Sequence, residues 1–265
     1  MRQLLNINNV LPKKSLGQNF ITNNNFLLKM DDHIDSSKNN IIIEIGPGKG
    51  ALTEYISKKY FKKLFLIEKD INLAKKLELK YKKSKNIFII NDDALTFDYS
   101  SFKNIKETVI IYGNLPFNIS TKLLTKWISD NEWPSFFNKM VLMFQKEVAD
   151  RIIASHNNRK YGRLSVLVQS RCNVKKILDA PASIFSPKPK VDGVVIQLKP
   201  IDKYSEINFN NLEKLLEESF SSRRKKIKNT LRKHKQLLAK LNIDENLRPE
   251  NLSVSNYCDL VQLIN

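Results

Sequence analysis

Short apolar runs alternate with amphipathic stretches through the first two hundred residues of the chain. They predict strands at 41–45, 64–68, 86–90, 109–113, 139–144 and 191–200, and helices near 50–60, 71–82 and 119–130 and from about 145. This alternation is typical of βαβ units and favours a parallel sheet. Beyond about residue 205 the apolar positions recur at helical spacing, over 212–220 and 227–241. We therefore expect an α/β domain over residues 1–204 and a small all-helical domain over residues 205–265.

The charge of the chain is strongly positive. Its 265 residues include 45 Lys and Arg against 27 Asp and Glu, which leaves a net charge of +18. Such an excess favours a polyanionic partner, and nucleic acid is the obvious candidate. A chain this rich in Lys, Asn and Ile, with only 7 Gly, would also carry a diffuse positive excess from composition alone. Local clusters of positive charge are therefore better evidence for a nucleic-acid site than the total charge.

No apolar run approaches the length that spans a membrane, and the N-terminus lacks the apolar core of a signal peptide. We expect a cytoplasmic protein that does not bind membranes. Cys172 and Cys258 lack the paired spacing of a metal or redox motif, and His33, His156 and His234 share no ligand spacing. The sequence therefore predicts neither a disulfide nor a metal site.

A glycine-rich segment, Glu-Ile-Gly-Pro-Gly-Lys-Gly at 44–50, ends the first predicted strand. Glycines at such a turn let the backbone approach a nucleoside closely, although the turn alone is also compatible with tight packing. Glu68 ends the second strand, where a carboxylate can accept both hydroxyls of a ribose. Asp93 follows the third strand, where it could accept the exocyclic amine of an adenine. Three strand ends thus converge on one adenosine.

The spacing of Gly46, Gly48 and Gly50 is G-x-G-x-G, whereas the dinucleotide fingerprint is G-x-G-x-x-G with a pyrophosphate at the helix start. S-adenosylmethionine has no phosphate to place there. Its sulfonium is cationic and suits strand ends that carry Glu44, Glu68 and Asp93. We therefore predict S-adenosylmethionine as the cofactor, bound at the glycine turn.

The fourth predicted strand is followed by Asn114-Leu115-Pro116-Phe117. The Asn114 side-chain oxygen and the Leu115 carbonyl can each accept a hydrogen from an exocyclic amine, which turns the nitrogen lone pair towards a methyl donor. Pro116 favours an extended Leu115, which aims that carbonyl outward. Phe117 offers a flat face to a base taken out of its stack. The alternative is a proline turn closed by an aromatic plug.

Residues 223–235, RRKKIKNTLRKHK, concentrate positive charge into fewer than four helical turns. Apolar residues at helical spacing, Ile227 and Leu231 among them, would hold this segment on the core with its cations outside. A solvated surface helix is the alternative, but the density of charge favours phosphate binding. Arg159, Lys160 and Arg163 would extend the track. The predicted RNA-binding residues are Arg223, Arg224, Lys225, Lys226, Lys228 and Arg232.

Several motifs resemble those of the small-subunit ribosomal RNA adenine dimethyltransferases over nearly the whole chain: SLGQNFI at 15–21, EIGPGKGALTE at 44–54, GNLPFNIST at 113–121, QKEVADR at 145–151, YGRLSV at 161–166, FSPKPKVDG at 185–193 and SFSSRRKKIKNTL at 219–231. The resemblance implies a Rossmann-like, seven-stranded methyltransferase sheet with its last strand antiparallel. It implies dimethylation of two adjacent adenines near the 3′ end of the small-subunit (16S) RNA. It also implies cofactor contacts at Asn19, Ile21, Gly46, Glu68, Asp93 and Asn114, and makes Phe185 the second aromatic wall of the target-base site.

Three other functions compete with this one. Macrolide-resistance dimethyltransferases share the catalytic loop but act on large-subunit RNA, and a DNA adenine methyltransferase would need a separate base-reading domain. A binding factor in ribosome assembly or transcription could keep the fold without its chemistry. The motifs at 161–166 and 223–231 favour the small-subunit branch. We expect a monomer that acts on small-subunit rRNA in the pre-30S particle.

Overall fold

The computed structural model describes residues 12–130 and 133–264. In those residues the strands are β1 Phe20–Ile21, β2 Asn40–Ile45, β3 Lys63–Ile67, β4 Ile87–Ile90, β5 Thr108–Gly113, β6 Lys139–Gln145, β7 Cys172–Ala180, β8 Phe185–Ser186 and β9 Gly193–Pro200. The α-helices are α1 Asn24–Asp31, α2 Thr53–Ile56, α3 Ile71–Tyr81, α4 Phe117–Ile128, α5 Lys146–Ile153, α6 Arg163–Arg171, α7 Phe209–Ser219, α8 Ile227–Thr230, α9 Lys235–Lys240 and α10 Val254–Ile264. Short 3₁₀ helices lie at Lys14–Leu16, Ser100–Phe102, Ala182–Ile184, Phe220–Ser222, Arg232–His234 and Pro249–Asn251.

These elements form two compact units. The first holds the described residues up to Leu123, with Phe136–Lys146 and Ile177–Gln197. The second holds the described residues of Leu124–Ser135, Glu147–Lys176 and Leu198–Asn265. All regular structure described beyond residue 205 is helical. A domain boundary between residues 204 and 205 stays a prediction.

The main sheet has seven strands in the described part of the chain, in the order β4-β3-β2-β5-β6-β9-β7. The strands β4, β3, β2, β5 and β6 are parallel along this order, and Ile43 in β2 pairs with Phe65 in β3 and with Ile111 in β5. The α/β class predicted from the alternating pattern is therefore confirmed, and so is the Rossmann-like, seven-stranded sheet that the family resemblance implies.

The core of the first unit follows from the composition of these strands. Every residue of β2 is buried, and Ile42 and Ile43 have no exposed surface. Parallel strands covered on both faces need such uninterrupted apolar runs. From β2 the chain runs outward through β3 and β4 on one side, and through β5 and β6 on the other. The carboxyl ends of β2 and β5 thus flank the point where the strand order reverses, which is where open α/β sheets bind ligands.

The second unit contains an unusual buried cation, Arg171 at the end of α6. Its guanidinium lies 4.9 Å from the ring centre of Trp133 and 5.4 Å from that of Phe209. The same group donates hydrogen bonds to the carbonyls of Tyr204, Ser205 and Ile207. Backbone carbonyls and aromatic faces therefore take the place of a carboxylate partner.

Some elements differ from the sequence predictions. The helix expected near 50–60 is confined to α2, Thr53–Ile56. The strand β7, Cys172–Ala180, was not predicted, because more than half of its residues are partly or fully exposed and no apolar run marks it. Cys172 and Cys258 are buried and free. No helix within residues 12–130 and 133–264 is long and apolar enough to cross a membrane.

Candidate active site

The glycine turn after β2 has the conformation that its composition requires. Gly46 and Gly48 have φ angles of +63° and +59°, in the left-handed region that side chains rarely adopt. A Cβ on Gly48 would lie 3.0 Å from the Phe20 ring. The backbone N–H of Gly48 donates to Oε2 of Glu68 at 2.9 Å. The turn is therefore packed under the N-terminal segment and tied to the end of the next strand.

Glu68 lies directly after β3 and is 5% exposed. Its Oε1 accepts the backbone N–H of Asp70 at 2.8 Å, and its Oε2 accepts that of Gly48. Burial raises the pKa of the Glu68 carboxyl above its ordinary value, and these two backbone donors oppose the rise. Each carboxylate oxygen has two lone pairs. The N–H groups of Gly48 and Asp70 therefore leave acceptor capacity on Glu68 for a hydroxyl group of a ligand.

The other two acids near the turn differ in charge. Asp93 accepts the backbone N–H of Leu95 at 3.0 Å and forms an ion pair with Lys69 at 2.7 Å. Glu44 is 3% exposed and accepts the Thr53 hydroxyl at 2.7 Å. Burial raises the pKa of Glu44 to about 8, so its carboxyl carries a proton at neutral pH. The expectation that all three acids offer negative charge to a sulfonium is therefore wrong for Glu44.

The loop after β5 presents two hydrogen-bond acceptors. The Asn114 amide donates from Nδ2 to the carbonyl of Asn19 at 3.1 Å, which leaves Oδ1 as its free end. The Pro116 carbonyl accepts the N–H groups of Ile119 and Ser120, so α4 begins immediately after the loop. Neither Oδ1 of Asn114 nor the carbonyl of Leu115 accepts a hydrogen bond from any residue that the structure describes. Both acceptors are available to a ligand.

The N-terminal segment and the strand β8 close another side of the site. Ile21 in β1 pairs with Phe185 in β8, and the N–H of Thr22 donates to the Ile184 carbonyl at 2.9 Å. Phe185 is 5% exposed. This pairing fixes the position of an aromatic side chain that is distant from Phe117 in the chain.

A cavity of about 160 Å³ in the first unit brings the predicted residues together. It is lined by every residue predicted to bind the cofactor or to act in catalysis: Asn19, Ile21, Gly46, Gly48, Glu68, Asp93, Asn114, Leu115, Pro116, Phe117 and Phe185. Its lining also includes Ser15–Gln18 and Lys69, which the sequence analysis missed. Ser15–Gln18 belong to the motif SLGQNFI, but only Asn19 and Ile21 of that motif were predicted to contact the cofactor.

The predicted RNA-binding residues lie in the second unit, and the continuous helix expected for them over 227–241 is wrong. The segment is broken into α8, a 3₁₀ turn at Arg232–His234 and α9. The N–H groups of Ile227 and Lys228, which would have no partner inside a helix that begins at Ile227, donate to the carbonyls of Leu247 and Glu245. Ile227, Leu231 and Leu238 are buried, as their spacing predicts.

These cations differ in what they contact. The guanidinium of Arg223 donates to the carbonyls of Arg159 and Tyr161, at 2.8 Å each. Lys226 and Lys228 share Oδ1 of Asn246, at 3.3 and 3.1 Å. Arg224, Lys225 and Arg232 are exposed.

Two of the three cations expected to extend this track form ion pairs within the protein. Lys160 is paired with Asp150 at 2.7 Å, and Arg163 is paired with Glu217 at 3.4 Å. Arg159 contributes its carbonyl to Arg223, as described above.

Comparison with known proteins identifies the family. Residues 9–265 match the family described as ribosomal RNA adenine dimethylase. The chain belongs to this family. The resemblance predicted from the motifs is confirmed, and this ribosomal RNA adenine dimethylase is an S-adenosylmethionine-dependent methyltransferase.

Curated relatives of this dimethylase match it over almost their whole length. A ribosomal RNA small subunit methyltransferase A from Pelagibacter ubique is 45% identical over 258 residues, which cover 96% of this chain and 97% of the relative. The protein of the same name from Ehrlichia chaffeensis is 41% identical over 267 residues and covers 98% and 99%.

Solved structures agree with the fold of the dimethylase. The crystal structure of a dimethyladenosine transferase from Plasmodium falciparum is similar with a TM-score of 0.80 at 27% identity, over 93% of this chain and 97% of that one. The 23S rRNA methyltransferase ErmE has a TM-score of 0.67 at 20% identity, over 92% and 98%, and supports the fold alone.

The cavity of the dimethylase fits its cofactor. The Glu68 carboxylate keeps acceptor capacity that suits the hydroxyls of a ribose. The carboxylates of Glu68 and Asp93 favour a cation over a phosphate. The left-handed glycines Gly46 and Gly48 remove side chains from the approach to the turn. S-adenosylmethionine meets each of these conditions, since it carries a ribose and a sulfonium and has no phosphate.

Proposed function

We propose that this enzyme adds two methyl groups to the N6 amine of each of two adjacent adenines near the 3′ end of 16S rRNA. The observation that carries the proposal is the pair of unused acceptors, Asn114 Oδ1 and the Leu115 carbonyl, on a cavity lined by Phe117 and Phe185. An exocyclic amine has two hydrogens, and two acceptors can engage both.

The chemistry needs no strong base. S-adenosylmethionine supplies an electrophilic methyl group on its sulfonium. Asn114 and Leu115 accept the amine hydrogens, which draws the nitrogen towards tetrahedral geometry and frees its lone pair. Phe117 and Phe185 offer aromatic faces to an unstacked base. Glu44, the most buried carboxyl at the cavity, is protonated at neutral pH and so does not compete for the amine.

Glu68 and Asp93 are proposed to hold the cofactor, with Glu68 on the ribose hydroxyls and Asp93 on the adenine amine. Asn19 and Ile21 contribute from the N-terminal segment, and the glycine turn supplies the floor. The support is that all of these residues line one cavity.

The small subunit is the proposed substrate, in the form of the pre-30S particle. Support comes from the relatives named ribosomal RNA small subunit methyltransferase A, which match nearly the full chain. The net charge of +18 suits a polyanion. We propose that the enzyme acts as a monomer in the cytoplasm, and that Arg224, Lys225, Arg232 and their neighbours contact phosphates.

The test is a methylation assay with wild-type enzyme and the Asn114→Ala variant on undermethylated small subunits, with large subunits in parallel. Losing one preorganised hydrogen-bonding group typically lowers a rate by about 10²–10³. Single-turnover rates at saturating cofactor, primer extension and mass spectrometry of the nucleosides measure the outcome. Asn210→Ala, at an exposed position in α7, is the matched control and should retain the wild-type rate.

Two results would contradict the proposal. Dimethylation by Asn114→Ala at a rate close to that of the wild type would remove the acceptor role of Asn114. Methylation of large subunits with small subunits left unmodified would move the substrate to the other rRNA.

A further inference from the structure

The N-terminal strap, defined as residues 13–19, forms part of the wall of the cofactor cavity. Ser15, Leu16, Gly17, Gln18 and Asn19 all line it. At its carboxyl end the strap is held by the hydrogen bond from Asn114 to the Asn19 carbonyl, and it continues directly into β1.

Two polar side chains of the strap reach the same oxygen of one acid, Asp70. The ammonium of Lys13 lies 3.0 Å from Oδ2 of Asp70, and the amide of Gln18 donates to the same Oδ2 at 3.2 Å. Inside the strap, the backbone N–H of Lys13 donates to Oε1 of Gln18 at 2.8 Å, which links the two residues that contact Asp70. The side chain of Asp70 has no exposed surface.

Asp70 also contacts the cofactor site through its backbone. Its N–H donates to Oε1 of Glu68 at 2.8 Å. One residue therefore joins the carboxylate proposed to bind ribose to the strap that covers the same cavity. Although burial acts to raise it, the pKa of Asp70 lies below its ordinary value, because Lys13, Asn72 and Gln18 all donate to the ionised carboxylate.

We propose that Asp70 is a positioning residue for the cofactor, whose Oδ2 latches the N-terminal strap through Lys13 and Gln18 so that the bound cofactor is retained. The latch depends on the proposed function in one respect, because the cofactor that it retains is taken to be S-adenosylmethionine. Its physical basis is a buried acceptor that holds two donors from the strap. Among the residues that the structure describes, the strap is otherwise hydrogen-bonded to the rest of the unit only at Asn19.

A purely structural role for Asp70 makes a different prediction. Asp70 is the N-cap of α3, and its Oδ1 accepts the N–H of Asn72 at 2.9 Å. The two carboxylate oxygens thus have separate tasks, because Oδ1 caps the helix and Oδ2 holds the strap. Asn is as good an N-cap as Asp. In Asp70→Asn the cap keeps its acceptor, whereas the amide nitrogen that replaces Oδ2 cannot accept from Lys13 or Gln18.

The first experiment is hydrogen–deuterium exchange on the cofactor-free protein. Amides of residues 15–20 should exchange about tenfold faster in Asp70→Asn and in Lys13→Met than in the wild type, while amides of α3 are unchanged. The double variant should resemble Asp70→Asn, because Lys13→Met removes nothing further once its acceptor is gone. The control is Lys59→Met, which breaks a comparable ion pair with Asp31 at 2.8 Å on residues that do not line the cavity.

The second experiment is stopped-flow binding of S-adenosylmethionine. The dissociation rate should rise about tenfold in Asp70→Asn and Lys13→Met, with a smaller change in the association rate. Unchanged strap exchange and unchanged dissociation in both variants would overturn the latch. Faster exchange in α3 together with the strap in Asp70→Asn, and wild-type exchange in Lys13→Met, would assign Asp70 to capping alone. Neither experiment contains RNA, so the latch stands or falls independently of which rRNA is methylated.

Discussion

The buried acid Glu44 leads to a sharp prediction about stability. It lies near the carboxyl end of β2, 3% exposed, with the Thr53 hydroxyl as its hydrogen-bond donor. The perturbation is Glu44→Gln. This change keeps the shape of the side chain and leaves the carbonyl oxygen to accept from Thr53, but it removes the group that titrates.

The magnitude follows from the pKa of Glu44, which burial raises from 4.5 to about 8. Between those pH values the folded protein binds a proton that the unfolded chain has released. The stabilisation is fully present below pH 4.5 and is lost as the pH rises through the folded pKa. The free energy of unfolding therefore falls by about 1.4 kcal/mol per pH unit, and by roughly 4–5 kcal/mol across the window, relative to a protein without this titration.

The assay is urea unfolding of the cofactor-free protein at intervals from about pH 5 to about pH 9, a range that spans most of the titration. The free energy of unfolding of Glu44→Gln minus that of the wild type should increase steadily with pH and level off above about pH 8. Glu78→Gln, at an exposed position in α3, is the control and should follow the wild type. A difference between Glu44→Gln and wild type that stays constant over the whole range would contradict the raised pKa of Glu44.

Three further predictions concern the cofactor and the RNA. Glu68→Ala should weaken S-adenosylmethionine binding by about 1.5–3 kcal/mol, the usual contribution of hydrogen bonds to a charged acceptor; an unchanged dissociation constant in a calorimetric titration of the folded variant would remove Glu68 from the site. Neutralising Arg224 and Lys225 together should make subunit binding less sensitive to salt and leave cofactor affinity unchanged. The slope of log binding constant against log salt concentration should fall in magnitude by roughly 0.7–0.9 for each phosphate that the variant no longer neutralises. A wild-type slope would contradict the phosphate role. Arg223→Ala should instead mainly increase protease cleavage near residues 159–161, because Arg223 donates to two carbonyls there; wild-type resistance to cleavage would contradict that bracing role.

The central strands were predictable from the sequence because they are buried on both faces. The predicted strands 41–45, 64–68 and 109–113 agree with β2, β3 and β5 to within one residue at each end. The strand β7 was not predictable from its pattern. Among the described strands it has one neighbour and lies at the edge of the sheet, and its exposed Lys175 and Lys176 interrupt any apolar run.

The residues of the candidate site were predictable where a motif marks the end of a strand, as it does at Glu68 and Asn114. Two other kinds of information were missing. The contact between Gln18 and Asp70 joins residues 52 apart in the chain, and that between Arg223 and Tyr161 joins residues 62 apart. Such contacts depend on the fold as a whole. The protonation of Glu44 depends on its burial, which the identity of the residue does not reveal.

The hydrogen bond from Asn114 to the Asn19 carbonyl decides which end of the Asn114 amide faces the cavity. An asparagine side chain can flip, and the two orientations exchange an acceptor for a donor at the same point in space. A donor facing an amine hydrogen would repel it. Because Asn19 takes Nδ2 at 3.1 Å, the flipped state would set two carbonyl oxygens against each other. The N-terminal segment thereby sets which group the proposed catalytic loop presents, so a protein whose segment had been removed would expose a mixture of acceptor and donor orientations.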